Sequence, residues 1–238
     1  MFSMKRILLI FAGLLIMLFG CQQNDTTDEN ADKNNDETTN EEVQEKPNQN
    51  EENNKADEEN ENQVDLSKYF KPDNTTAYFL GDGIEYSTYT EKTVYLSDEY
   101  IGTLVDNGGI TMMFIYKISD DQIDIIYREP VEEVPPAEPT FPEKAELDSM
   151  ESIEIYLKTP FEIGTTFDKW TIVETDITLE TPYKTFEHVF VIEEKGEDYI
   201  NKKYFVEGYG EIKTEFIMNT DQDEEYIVTS TLEKIENH

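Results

Sequence analysis

The hydrophobic and polar positions divide the chain into three stretches of different character. Residues 7–19 form an almost unbroken apolar run behind Lys5 and Arg6. Residues 22–64 are polar nearly throughout, with Ala31, Val43, Ala56 and Val64 the apolar exceptions. From residue 65 onward aromatic and β-branched side chains return in short bursts separated by Gly, Asn, Asp and Pro. Bursts of that composition bounded by turn residues predict antiparallel strands.

The clearest hairpin signal is Asp106-Asn107-Gly108-Gly109 between Tyr100–Val105 and Ile110–Tyr116. Asn-Gly supplies the positive φ angles that a tight turn needs. Ser119–Gln122 is the next turn and leads into a strand over Ile123–Tyr127. Upstream, Gly81-Asp82-Gly83 predicts a hairpin between Ala77–Leu80 and Ile84–Tyr89. Pro130, Pro135, Pro136, Pro139 and Pro142 cannot sustain a central strand or a helix, so 130–142 reads as a linker. Leu147, Met150 and Ile153 at helical spacing predict one short helix within Glu143–Leu157, stopped by Pro160. The strand pattern then resumes over Trp170–Val173, Ile177–Glu180, Phe186–Ile192, Tyr199–Val206, Tyr209–Ile217 and Tyr226–Ile235. Consecutive hairpins must curl or be covered to protect their apolar face. The expected fold is therefore mainly β, a curved antiparallel meander or half-barrel with one short helix, with two β subdomains as the alternative. The expected divisions are an N-terminal β half over 65–129, the linker over 130–142, and the helix with a C-terminal β half over 143–238.

The leading apolar run is 13 residues long, against the roughly 20 that a helix needs to cross a bilayer. It fits the h-region of a secretory signal peptide over residues 1–20. Leu18-Phe19-Gly20-Cys21 resembles the lipobox of bacterial lipoproteins, with Phe19 standing where a small residue is usual. That resemblance implies cleavage before Cys21, a diacylglyceryl group on its thiol, and a membrane as the first partner. Each buried acyl methylene contributes about 0.8 kcal/mol, so two chains make a stable anchor. Cys21 is the only cysteine, so a lipidated chain has no disulfide and its folded part depends on its core. The expected location is the extracytoplasmic face of the cell membrane. The missing disulfides and the Asn, Glu and Lys bias point to a low-GC Gram-positive cell.

The polar stretch 21–64 reads as a disordered tether, because it cannot bury enough surface to offset a backbone ordering cost of about 1–2 kcal/mol per residue. Fifteen acidic residues against three lysines within it expand it beyond the roughly 35 Å expected of an uncharged coil of that length. Of the net charge of −35, the tether holds −12 and the signal +2, which leaves −25 on residues 65–238. Such a domain is repelled by phosphate backbones and anionic headgroups, so nucleic acid is excluded as a partner. An envelope protein or a small ligand remains open.

Pro160-Phe161-Glu162-Ile163-Gly164-Thr165, then Thr181-Pro182-Tyr183-Lys184-Thr185-Phe186, then Lys203-Tyr204-Phe205-Val206-Glu207-Gly208-Tyr209-Gly210-Glu211-Ile212-Lys213 look like a pattern in uncharacterised lipoproteins of Bacillus-type bacteria. The likeness covers roughly 153–217, with Tyr183 and Lys184 departing from the small residues common in that turn. It implies a curved antiparallel sheet similar to the half-barrels of lipoprotein carriers, and no known activity.

Candidate chemistry is sparse. His188 and His238 are the only histidines, and His188, beside Val189 on a strand, reads as a structural or surface residue rather than a catalytic base. A structural zinc site lacks the ligands it needs. Asp221-Gln222-Asp223-Glu224-Glu225 alternates carboxylates but has Tyr226 where a calcium loop places glycine, so it reads as an acidic turn. Gly81-Asp82-Gly83 and Gly208-Tyr209-Gly210 lead into no helix and read as turn or bulge glycines rather than phosphate loops. Tyr78, Phe79, Tyr86, Trp170, Tyr204 and Phe205 could line a cleft, yet a β domain needs such residues for its core. The expectation is a lipid-anchored, non-enzymatic domain binding a ligand or protein on a concave β surface, with no cofactor or metal. Its alternatives are a carboxylate-based cell-wall hydrolase and a passive surface module.

Overall fold

The computed structural model describes residues 64–131, 139–219 and 225–238. The expected signal peptide, Cys21, the tether up to residue 63, most of the proline-rich linker and the acidic run 221–224 lie outside the described residues.

Twelve strands make up one antiparallel sheet: β1 (Thr75–Asp82), β2 (Tyr89–Tyr95), β3 (Tyr100–Asp106), β4 (Thr111–Ile118), β5 (Gln122–Pro130), β6 (Glu154–Lys158), β7 (Thr166–Phe167), β8 (Trp170–Glu180), β9 (Thr185–Lys195), β10 (Tyr199–Val206), β11 (Gly210–Asn219) and β12 (Glu225–Asn237). The order is β6-β5-β4-β3-β2-β1-β12-β11-β10-β9-β8-β7. Every strand pairs with its neighbours in the chain except β6 and β7, and the first strand pairs with the last, Thr75 opposite Asn237. The two free edges are thus consecutive in sequence. They meet at a seam where the Asp168 carboxylate accepts the Ile155 N–H at 2.7 Å and Lys169 reaches Glu154 at 3.9 Å. The sheet is a nearly closed barrel.

Closure needs strong coiling, and the register shifts supply it. Bulges interrupt β1, β4, β5, β10 and the β8–β9 ladder, and a bulge raises local twist. The β3–β4 hairpin forms where the Asn-Gly signal lies: Gly108 has φ +78°, the Asp106 side chain accepts the Gly108 N–H at 2.8 Å, and Asn107 Oδ1 accepts those of Gly109 and Ile110 at 3.0 Å.

Two local expectations change. The helix is a single turn, α1 (Lys144–Leu147), and Glu154–Leu157, expected as its continuation, belong instead to strand β6 on the free edge of β5. Ile153, Ile155 and Tyr156 are β-branched or aromatic, and pairing with an open sheet edge outweighs a three-residue helical spacing. Upstream, β1 runs on through Asp82, Glu85–Ser87 forms a 3-10 turn, and β2 begins only at Tyr89. The Ser87 hydroxyl holds that loop by donating to the Ile84 carbonyl at 2.6 Å.

The segment before β1 closes one end of the barrel. Leu66 and Phe70 are buried in the inner core with Ile101, Leu157, Phe190 and Phe205. Phe70 meets Tyr116 edge-on at 4.9 Å, and Tyr69 meets Phe161 at 4.7 Å. The Gly208 N–H donates to the Lys68 carbonyl at 2.6 Å, which fastens this plug to the β10–β11 turn. Outside the barrel, Phe141, Leu147 and Met150 cover Tyr100, Met113, Ile115 and Ile126. A Cβ at Gly102 would come within 2.4 Å of the Phe141 ring, so the covering segment depends on that missing methyl. A third cluster joins the β8–β9 hairpin, through Phe186, Val189 and Val191, to Ala77, Ile212 and Leu232.

Candidate ligand-binding lumen

Beyond the plug the barrel is hollow, with a cavity of about 450 Å3, within the roughly 300–1,000 Å3 of small-molecule sites. Antiparallel pairing puts alternate strand ends at the same rim. The cavity reaches the rim formed by the ends of β3, β5 and β11 and the start of β8, where Val105, Arg128, Phe216 and Lys169 line it. The plugged rim lies at the other end of those strands.

Six aromatic rings face this space: Tyr89, Phe114, Tyr116, Tyr156, Trp170 and Phe216. They are held from behind by further rings. Tyr89 stacks on Phe79 at 4.4 Å, Tyr156 meets Phe205 edge-on at 5.5 Å, and Phe216 stacks on Tyr199 at 5.9 Å. Burial pushes the hydroxyls of Tyr89, Tyr116 and Tyr156 far above their ordinary value, and the Glu91 and Glu211 carboxylates add to it. These phenols are therefore neutral donors across the physiological pH range.

The charged groups of the wall occur as pairs. Arg128 meets Glu154 at 3.1 Å, Lys169 meets Glu194 at 3.4 Å, and Lys203 meets Glu211 at 3.0 Å. Lys71 of the plug, 2% exposed, meets Glu91 at 2.9 Å, and the lining Glu215 is met at 2.6 Å by Lys213, which does not itself line the space. The ammonium groups of Lys203 and Lys169 also lie 5.4 and 5.5 Å from the centre of the Trp170 ring. Burial pushes the Glu194 carboxyl up, but bonds from Asn201 and Tyr199 together with Lys169 outweigh it, so the group sits below the usual carboxylate range. Burial likewise pushes Glu215 up, and Lys213 and the Tyr204 hydroxyl bring it below that range.

No protein-family model matches the chain. No curated protein matches it either. Among solved structures, a Bacteroides fragilis protein assigned as exported, with a YmcC-like fold, is similar at a TM-score of 0.43 and 12% identity, over 71% of this chain and 98% of that one.

Of the aromatics singled out in the sequence, the structure brings Trp170 to the lumen. Phe79, Tyr204 and Phe205 are core residues. Tyr78 donates its hydroxyl to Glu236, and Tyr86 is 55% exposed at the rim. The other five lumen rings lie outside that set, although Tyr89 and Glu91 on β2, and Phe114 and Tyr116 on β4, alternate as one face of a strand should. His238 lies away from the lumen, its ring 2.8 Å from the Thr76 hydroxyl. Among the described residues, no group of three or more His, Cys, Asp and Glu side chains is placed to hold a metal ion.

His188 is on the outer surface, 81% exposed, with Nδ1 2.5 Å from the Asp176 carboxylate. Both residues have positive φ, +57° and +58°, so the pair ties two irregular positions of β8 and β9 together. The hydrogen bond that the ring N–H donates to Asp176, and then the charge of that carboxylate, raise the imidazole above its ordinary 6.5. A raised folded value means that the pair's stabilisation is full below about pH 6.5 and fades as pH rises through the folded value. In an NMR titration the His188 ring should titrate above 6.5 in the native chain, and Asp176→Asn should return it toward 6.5. An unshifted native ring would remove the pair.

Proposed function

We propose that this chain is a lipid-anchored extracytoplasmic lipoprotein whose β domain binds a small ligand in its lumen without chemical turnover. The observation that carries the binding part is the hollow itself. A barrel widens as its strand number rises, and here twelve strands enclose a room walled by rings and fixed charge pairs. A passive surface module would have no use for such a space. The delivery part rests on the signal-like run over 1–20 and on Cys21, with 21–64 as the spacer between the lipid and the domain. The membrane is then a partner through the diacylglyceryl group, and the outer face of the cell membrane is the working location.

The carboxylate-hydrolase alternative needs a carboxylic acid kept protonated near neutral pH. Glu194 and Glu215 are held the other way, and each of the five lumen glutamates named above lies beside a cation, which favours binding over hydrolysis. Incubation with peptidoglycan should release no product.

Trp170 is the only tryptophan, so its emission reports the lumen directly. A saturable change on titration with a small ligand is the expected result, and a flat response across lipids, glycans and cations would count against binding. For the anchor, native chain should sediment with membranes and carry diacylglyceryl mass at Cys21. Cys21→Ser should be neither lipidated nor cleaved at that position. A bare sulfur in the mature native chain would remove the anchor and leave the lumen untouched.

A further inference from the structure

We infer that the ligand of this lumen is a neutral oligosaccharide, an assignment that rests on the ligand-binding reading above. The charge pairs decide it first. Arg128, Lys169 and Lys203 each already face a glutamate at 3.1, 3.4 and 3.0 Å. An anionic ligand would have to displace those carboxylates, and a cationic one would have to displace the ammonium and guanidinium groups. An acyl chain fares worse, because seating it would strip water from several charges and give them nothing in return.

A sugar hydroxyl suits such a wall. It donates to a carboxylate and accepts from an ammonium group at the same time, so alternating Lys and Glu can bind it without disturbing their own charge balance. Bonds of that kind, with one partner ionised, are about twice as strong as neutral ones. The apolar faces of a pyranose also need rings, since their polarised C–H groups meet the negative face of an aromatic. Phe114 on β4 and Phe216 on β11 both line the lumen, with four strands between them in the sheet. The barrel therefore presents rings from two separate parts of its wall.

A polypeptide would be expected to add to an open strand edge. The strands around the lumen are paired on both sides except at the β6–β7 seam, where β7 is two residues long and Asp168 already accepts the Ile155 N–H, so the wall offers side chains and little free ladder. At the same rim, Tyr86 and Tyr226 are 55% and 39% exposed. Tyr226 is fixed by donating its hydroxyl to the Gly83 carbonyl at 3.0 Å. Two exposed rings at that end supply stacking surfaces for the sugars of a chain leaving the lumen.

The test uses the full-length chain in phosphatidylcholine vesicles, with Trp170 emission as the readout and chitotetraose, cellotetraose and maltotetraose as probes. Oleate and glycerol 3-phosphate serve as the acyl and anionic comparisons. At least one tetrasaccharide should give saturable binding whose affinity changes little between low and high salt. Phe216→Ala should weaken it about tenfold, and Val105→Phe, which fills the lumen without removing a contact, should abolish it. Melting curves of both variants establish that they fold. Saturation by oleate or glycerol 3-phosphate alone would overturn the sugar assignment and leave the ligand-binding reading standing. Saturation by none of the probes would overturn both. Sugar binding indifferent to both folded variants would place the site elsewhere and end the proposal.

Discussion

Replacing Lys71 with Met should destabilise the β domain by about 3–5 kcal/mol, the usual cost of leaving one member of a buried ion pair alone. For a domain of this size that is a fall in melting temperature of roughly 6–20 °C. The Lys71 ammonium group donates to the Glu211 carbonyl at 2.8 Å, meets Glu91 at 2.9 Å and lies 4.8 Å from the Phe79 ring centre. Methionine keeps most of the volume, so the loss reports charge rather than a cavity. Glu91→Gln in the Lys71→Met background should recover part of the loss, because the stranded charge is then gone. Thermal melts of the single and double variants test this. A Lys71→Met melt within about 1 kcal/mol of native would mean that the ammonium group is not held as the geometry has it.

Lys71 also marks the limit of what the sequence reveals. It is one of 19 Lys and Arg residues, and nothing near it in the chain marks it as buried. What buries it is the return of the plug onto β2 and β11, a contact between segments far apart in sequence. The β3–β4 hairpin was legible because its determinants, Asp106, Asn107 and Gly108, all act within five residues. Strand content and curvature were legible for the same reason. Whether the halves share a sheet was not, because it depends on β1 meeting β12, with Thr75 opposite Asn237. The lumen follows from that closure. An alternating aromatic face looks the same in a sequence whether it fills a sandwich or lines a hollow, and strand number decides between them.

Contact with the plug separates the two glycines of the β10–β11 turn, which sequence alone treats alike. Gly208 and Gly210 both have positive φ, +82° and +65°. Either alanine therefore meets the left-handed penalty of about 1–2 kcal/mol. Around Gly208 nothing lies within 4 Å of a new Cβ, whereas at Gly210 it would sit 2.4 Å from the Tyr69 oxygen and 3.0 Å from the Phe70 Cα. Those are backbone atoms and cannot swing aside, so Gly210→Ala must push the plug outward. That displaces Leu66 and Phe70 from the inner core, where burial of each contributes about 1.5–3 kcal/mol. Gly208→Ala should therefore cost only the conformational part, and Gly210→Ala at least about 2 kcal/mol more. Limited trypsin digestion gives a second readout, because a loosened plug opens the Lys68–Tyr69 bond to cleavage in the Gly210 variant alone, while Lys71 is shielded in either state by the following Pro72. Equal melting temperatures and equal cleavage rates for the two variants would show that the plug does not rest on Gly210.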